Sequence, residues 1–406
     1  MTAPLRVLLD ARMLIGRFSG VGRFVTSLVD ELARHDDTCP IVLCGREPFL
    51  PWSGRDDIEI IRSTFGRYDR SPRRRLIWEE TRLRSLIRRA NADVFHATWN
   101  HGIPLRCPIP AVLTIHDLIP WNQPVSSGRA ALDRWCYRRA VRTSAFRASR
   151  VTTVSEYVRR QVFSKLNIPS GRAETIYNGV ETPAATAHVR RKTRYPFILY
   201  VGGHEARKNV AGVCRTMQHY WSRFGPDIEL HLTGHPTDLT PDAASALQQL
   251  DQGDRVRFHG HLAEPALREL YRSASALLFL SRDEGFGLPV LEAMAYGCPV
   301  IAANASSIPE VAADAAILVD PDNCGAAAEA IHSLVEDEAV RAMMIRRGHE
   351  RAASFSWSAT AAQFRETYAA AVSTQISRCS GHGKPVETGS VSKEGWVSRT
   401  SPKGLA

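Results

Sequence analysis

Short apolar runs of strand type alternate with longer stretches of helical period along nearly the whole chain. Arg6–Asp10 (RVLLD), Pro40–Cys44 (PIVLC), Asp93–His96 (DVFH), Ala111–His116 (AVLTIH), Arg150–Val154 (RVTTV) and Glu174–Tyr177 (ETIY) make a first series. Runs this apolar belong to parallel strands covered by helices on both faces. Helical patterns fall near 21–34, 76–90, 129–148 and 155–166. A second series opens at Phe197–Val201 (FILYV) and continues through Ile228–Thr233, Val256–His259, Ala276–Leu280, Pro299–Ala302 and Ala316–Val319. Strand–helix alternation predicts doubly wound parallel sheets, and two series predict two Rossmann-like α/β domains, at 1–185 and 195–356. The joint is expected in Glu181–Arg194, which lacks an apolar period and carries Pro and a basic run. Ser358–Ala371 is helical in pattern. Past Gln375 the chain is Ser, Gly, Lys and Thr, which predicts a disordered tail over 376–406.

Composition narrows the class. The 406 residues suit about two domains, and 44% hydrophobic with 23% charged residues excludes wholesale disorder. The longest core-like run, Ala274–Leu280, is far short of the ~20 residues that span a membrane. Met1–Leu9 reads as a first strand rather than a secretory signal. Eight cysteines without CxxC pairing read as reduced thiols, so a cytoplasmic location is expected. The net charge of +10 is uneven: residues 1–195 carry 33 basic and 18 acidic side chains, and the remainder 19 and 24. A negative partner should therefore meet the first half.

Two constellations carry chemistry. In Ser281–Gly297 (SRDEGFGLPVLEAMAYG) a Gly-rich loop follows a strand, Pro289 is expected at the first helical position, and Gly297 with Pro299 ends the helix. Free amides of Phe286, Gly287 and Leu288 at that helix start suit a diphosphate. Glu284 precedes the loop. Glu292, expected in the first helical turn, could face the same cleft, where both acids would accept from sugar or ribose hydroxyls; a dipole-complementing acid is the plainer alternative for Glu292 alone. The second is Tyr200–Asn209 (YVGGHEARKN): Gly202 and Gly203 form a turn, and Arg207-Lys208-Asn209 are expected to open the next helix. Arg and Lys there can clamp phosphate oxygens; a solvated pair is the alternative.

With these blocks go Asp10-Ala11-Arg12, Gly20-Val21-Gly22-Arg23-Phe24, His116-Asp117-Leu118-Ile119-Pro120, Val154-Ser155-Glu156, Asn178-Gly179-Val180 and Ser306–Val311. From Leu8 to about Tyr368 the chain resembles the retaining family 4 glycosyltransferases of the GT-B fold, most of all bacterial O-antigen and polysaccharide mannosyltransferases. The resemblance implies a C-terminal helix, 357–373, crossing back to the first domain. It implies that Arg207 and Lys208 hold the donor diphosphate, with Gly203 and Asn209 in the same donor loop. Glu284 would contact the transferred sugar and Glu292 the ribose. Gly285, Phe286, Gly287 and Leu288 would cradle sugar and phosphate, and Gly260 with His261 would border the nucleobase. From the first domain, His116 would lie near the anomeric carbon and Gly20 and Gly22 beside the leaving group. It further implies a nucleotide-sugar co-substrate with no metal or other cofactor. GDP-mannose is the first choice and UDP-sugars, with glucosyl or N-acetylglucosaminyl transfer, remain open. The expected acceptor is a growing polysaccharide or a lipid-diphosphate-linked glycan.

Other features have weaker readings. Asp320-Pro321-Asp322 spells a metal-binding DxD but reads as a turn, and His259 and His261 alternate as in a strand without a ligand set. His96 and His101 either face the cleft or sit in the core. Arg134, Arg138 and Arg142 at i, i+4, i+8, and a second cluster over Arg73–Arg89, are either solvated faces or contacts with anionic lipid on the inner face of the plasma membrane. Nucleic acid also suits the charge, but no binding module accompanies it. A sugar-nucleotide epimerase, or a basic membrane- or nucleic-acid-binding protein with a degenerate cleft, are the rival classes.

Overall fold

The computed structural model describes residues 3–380 except 13, 15–19, 47–50, 66–71, 123–128, 184–195 and 252. Most of the expected joint, and the tail beyond 380, lie outside these residues. The first sheet contains β1 (Leu5–Ala11), β2 (Thr38–Cys44), β3 (Glu59–Arg62), β4 (Val94–Ala97), β5 (Ala111–Ile115), β6 (Arg150–Thr153) and β7 (Ala173–Thr175), in the order β3-β2-β1-β4-β5-β6-β7. The second contains β8 (Phe197–Tyr200), β9 (Glu229–Leu232), β10 (Val256–Phe258), β11 (Ala276–Phe279), β12 (Val300–Ala303) and β13 (Ile317–Val319), in the order β10-β9-β8-β11-β12-β13. All pairings are parallel. Strand order reverses at β1/β4 and at β8/β11, and at such switch points loops part to leave a crevice beyond the strands' C-terminal ends. The two domains meet there, Ser155 with Gly285 and Arg23 with Glu292.

Three sequence expectations change. Strand β3 adds to the expected series, because an edge strand with half-exposed Ile60 and Ile61 lacks the run of buried residues that marks its neighbours. Helix Arg84–Arg89 is reached through a π turn at Glu79–Leu83 from helix Pro72–Trp78. The C-terminal helix runs Trp357–Ser380, so residues 376–380 are helical rather than part of a tail.

That helix belongs to the first domain's core. Ala361, Phe364, Tyr368 and Ala371 are buried with Val7, Leu9, Phe24 and Leu28. Thr360 Oγ1 donates to the Tyr177 carbonyl (2.8 Å), and Gly179 lies so close to the Trp357 amide that a Cβ would overlap it. His96 sits between Tyr368 Oη and Thr114 Oγ1, both at 2.7 Å, fully buried. His101 is also buried, its ring edge-on to Tyr137. Neither faces the cleft.

Burial holds His96 down to about 3, with the nearby His116 adding to the effect, and pushes His116 down to about 4. Each therefore binds a proton in the unfolded chain at pH 5 and none in the fold. Such groups cost nothing above pH ~6.5 and destabilise progressively as pH falls toward their folded values. Roughly 2 kcal/mol per histidine is expected to be lost between pH 6.5 and 5. The urea midpoint at pH 5 should fall well below that at pH 6.5; an unchanged midpoint would show that these rings titrate normally.

Candidate active site

Strand β11 delivers the loop 281–287 to the crevice, and Gly287, at φ +106°, is the N-cap of helix Leu288–Ala295. Pro289 is thus the second helical residue, not the first. Glu292 lies beyond the first turn, because the left-handed glycine starts the helix one residue earlier than proline alone suggests. At the end of β8, Arg207 and Lys208 occupy a 3-10 turn, Ala206–Lys208, rather than opening a helix. Asn209, at φ +56°, caps helix Val210–Phe224. Its Oδ1 accepts from the Gly212 amide (3.2 Å) and its Nδ2 donates to the Pro321 carbonyl (2.9 Å). Both polar ends of Asn209 are committed to backbone, so it shapes the turn that presents its two basic neighbours.

These two loops bring three charges together. Lys208 Nζ donates to Glu284 Oε1 at 2.6 Å and Arg207 Nη1 to Glu284 Oε2 at 3.2 Å. Arg207 also holds the Asp283 carbonyl (3.1 Å), while the Glu284 amide donates to Ser306 Oγ (3.0 Å). Ser307 Oγ, donating its one proton between the Glu284 and Phe286 carbonyls, pins the loop from beneath. Two cations against one carboxylate leave a net positive charge beside a helix start, where an incoming anion is stabilised.

The loop is docked on the first domain. Ser155 Oγ donates to the Gly285 carbonyl at 2.6 Å, and Gly285 lies directly on the His116 carbonyl. His116 Nε2 is 2.8 Å from the Thr98 carbonyl. A carbonyl only accepts, so Nε2 carries the proton and Nδ1 is left as an acceptor on a neutral ring packed edge-on against Phe24. Glu310, from the second domain, accepts the Glu156 and Tyr157 amides (2.6 and 3.0 Å) and the Tyr177 hydroxyl (2.9 Å). It thereby caps the first domain's helix Glu156–Leu166, a favourable place for a carboxylate.

Glu292 is buried; Tyr271 Oη donates to its Oε2 at 2.9 Å, and Arg23 of helix Gly20–Leu32 forms an ion pair with its Oε1 across the cleft. Gly20 and Gly22 are in the first turn of that helix, with Gly20 facing Leu288. Along the same C-terminal edge of the sheet, past β9 and β10, Gly260 (φ +64°) exchanges backbone hydrogen bonds with Gly234, joining two loops. Strand β10 ends at Phe258, so His259 and His261 lie past it. His261 is exposed, with its ring edge-on to His235. Gly203 accepts the Tyr200 hydroxyl (2.5 Å). The structure thus gathers Arg207, Lys208, Glu284, Gly285 and His116 at one point and sets Glu292 with Arg23 at a second. Asp320-Pro321-Asp322 is a turn whose Asp322 pairs with Arg282 (2.5 Å).

Sequence reasoning missed two residues. Arg23 sits in the quoted GVGRF block, but nothing in a one-dimensional pattern reveals a partner 269 residues away. Asp117 follows His116; burial raises its carboxyl, opposed by Arg207 and reinforced by Asp283 and Glu284.

Comparison with known proteins agrees with this geometry. Residues 18–183 match the model described as Glycosyltransferase Family 4, and residues 183–351 that of Glycosyl transferases group 1. The chain belongs to the family 4 glycosyltransferases. The enzyme is 29% identical over 252 residues to the O-antigen chain mannosyltransferase RfbU of Salmonella typhimurium, covering 62% of this chain and 67% of that protein. Its fold is that of sucrose-phosphate synthase from Thermosynechococcus elongatus (TM-score 0.73, 21% identity, 92% of this chain and 100% of that one). It also matches Anabaena Alr3699/HepE, solved in complex with UDP-glucose (TM-score 0.70, 17% identity, 90% and 99%). The two-domain GT-B architecture expected from the sequence is therefore the one observed.

Proposed function

We propose that this glycosyltransferase moves a hexose, mannose first among them, from a GDP-linked donor to a growing polysaccharide or lipid-diphosphate-linked glycan at the inner face of the plasma membrane, with retention at the anomeric carbon. The observation that carries the reading is the Arg207–Lys208–Glu284 cluster, net positive, at the C-terminal edge of the second sheet. The bond between C1 and the diphosphate breaks as negative charge grows on the departing oxygen, beside both cations. The acceptor oxygen bonds C1 from the same face and its proton passes to a phosphate oxygen, leaving GDP. Neutral His116, with Nδ1 free to accept, orients a sugar hydroxyl without adding charge. No protein nucleophile is invoked and no metal is required in this scheme. Mannose is favoured by similarity to the O-antigen enzyme; a UDP-hexose is the second reading, prompted by the HepE complex.

Thermal-shift titration against GDP, UDP and ADP tests the donor. A ligand at a hundred times its Kd adds about 2.7 kcal/mol to stability, so GDP should give the largest shift. No shift with any nucleotide would remove the donor-site assignment, and a larger shift with UDP would replace GDP. Anomeric analysis of the product then tests retention.

The Arg23–Glu292 pair occupies the carboxylate assigned to the ribose hydroxyls. Arg23→Ala is therefore expected to tighten binding of GDP alone several-fold, in keeping with the ~1 kcal/mol of a partly exposed ion pair. Calorimetric titration reads this directly; weaker GDP binding would instead make Arg23 a nucleotide ligand.

A further inference from the structure

Among the described residues, the exposed large apolar side chains are Ile77, Leu105, Leu132, Trp135 and Phe146. All five belong to the first domain. Three lie on helix Arg129–Arg147, and they are not scattered there: Leu132, Trp135, Arg139, Arg142 and Phe146 fall at i, i+3, i+7, i+10 and i+14. At about 100° per residue these five share an arc of roughly 80°. Cys136, Ala140, Val141, Ser144 and Ala145 point into the core. The helix thus has a second, outward stripe that is apolar at both ends and cationic between. A solvated helix face would be polar there.

The arginines are held for outward use. Arg139 lies over the Trp135 ring (5.8 Å), and Arg138 lies over the Trp121 ring (5.7 Å) while donating to the Trp121 carbonyl (3.0 Å). Trp121, Trp135, Arg138, Arg139, Arg142 and Thr143 enclose an open groove of about 340 Å³. A second groove, about 590 Å³, continues past Arg142 and Arg147 to Phe146. No described carboxylate forms an ion pair with Arg138, Arg139, Arg142 or Arg147. Trp135 is 59% and Phe146 71% exposed.

We infer that this stripe is the face by which the enzyme docks on an anionic phospholipid bilayer, with Trp135 and Phe146 entering the interface and Arg139 and Arg142 on lipid phosphates. Aromatic and apolar residues interleaved with arginines on one helix face are what an interfacial site requires, and no described helix is long and apolar enough to cross a membrane. Aliphatic Leu132 in the same stripe suits acyl chains, which a polynucleotide lacks. The face also adjoins the cleft: Asn122, one residue from Trp121, donates to Asp283 Oδ2 (3.0 Å), next to Glu284. A membrane at this stripe would present a lipid-linked acceptor on the first-domain side of the site. That purpose rests on the proposed acceptor class, but the docking itself does not.

The test is co-sedimentation of the full chain with vesicles of phosphatidylcholine alone or mixed with phosphatidylglycerol. The expected result is binding to the anionic vesicles only, weakening as salt rises. Trp135→Ser with Phe146→Ser, and separately Arg139→Ser with Arg142→Ser, should each weaken it by roughly tenfold or more, with melting temperature unchanged. Equal binding to neutral vesicles, no binding to either, or wild-type binding by both variants overturns the proposal. So does single-stranded RNA that binds more tightly than vesicles and displaces them. Nucleotide titration of the same variants is a separate readout, so failure of the donor reading and failure of docking are distinguishable.

Discussion

Lys208→Ala is expected to lower the rate of transfer by about 10²–10³-fold, the cost of removing one preorganised charge from a departing oxyanion. Lys208 is mostly buried against the Phe279 ring, with its ammonium 2.6 Å from Glu284. Its loss leaves Arg207 and Glu284 as a neutral pair, so the site no longer attracts a diphosphate. Nucleotide binding and turnover should both weaken. Glu284→Gln separates the two effects. It keeps both cations and raises the charge of the cluster from +1 to +2, so GDP binding should hold or tighten while transfer falls, because the carboxylate that the resemblance assigns to the sugar is gone. Steady-state kinetics with GDP titration on both variants distinguishes them. Wild-type kcat in the pair would remove this cluster from the reaction.

Gly285→Ala is expected to be nearly as damaging by a different route. A methyl group there overlaps the His116 carbonyl, which is backbone and cannot rotate away. Either the loop or the first domain must retreat, and the Ser155–Gly285 hydrogen bond lengthens. Displacing a reacting group by 1 Å costs about 10²-fold, so transfer should fall by that order even though no charged group is touched. The expected signature is a large loss in kcat with GDP affinity little changed, since Arg207 and Lys208 stay in place. Full activity in this variant would mean that the observed interdomain contact is not made during turnover.

What the sequence made legible follows from parallel-sheet physics. Strands covered on both faces must be apolar throughout, so RVLLD, AVLTI and ILYV stand out, and glycines at crevice loops mark where backbone meets backbone. The half-exposed edge strand β3 has no such constraint. The chemistry was legible wherever it is local: Glu284 and its loop lie within one block, as do Arg207 and Lys208. It was hidden where two distant segments meet, as in Arg23 with Glu292, or Glu310 capping the helix at Glu156. Asn209 shows the same limit: one of its two backbone partners, Pro321, lies 112 residues away in the sequence. The donor clamp leaves the positive charge of the first half unexplained, and only the structure sets Arg139 and Arg142 on one face with exposed Trp135 and Phe146, the arrangement from which docking is inferred.

The crossing helix has a consequence for how the chain is made. Phe364 and Tyr368 complete a core whose other members, such as Val7 and Phe24, leave the ribosome more than 300 residues earlier. Even β7, the last strand of that sheet, must wait for some 190 residues, about 10–40 s at ordinary elongation rates. Throughout that interval the first domain has an open seam and cannot close over its apolar floor. The N-terminal half is therefore the last part of this enzyme to finish folding, and it should aggregate when expressed without the segment that seals it.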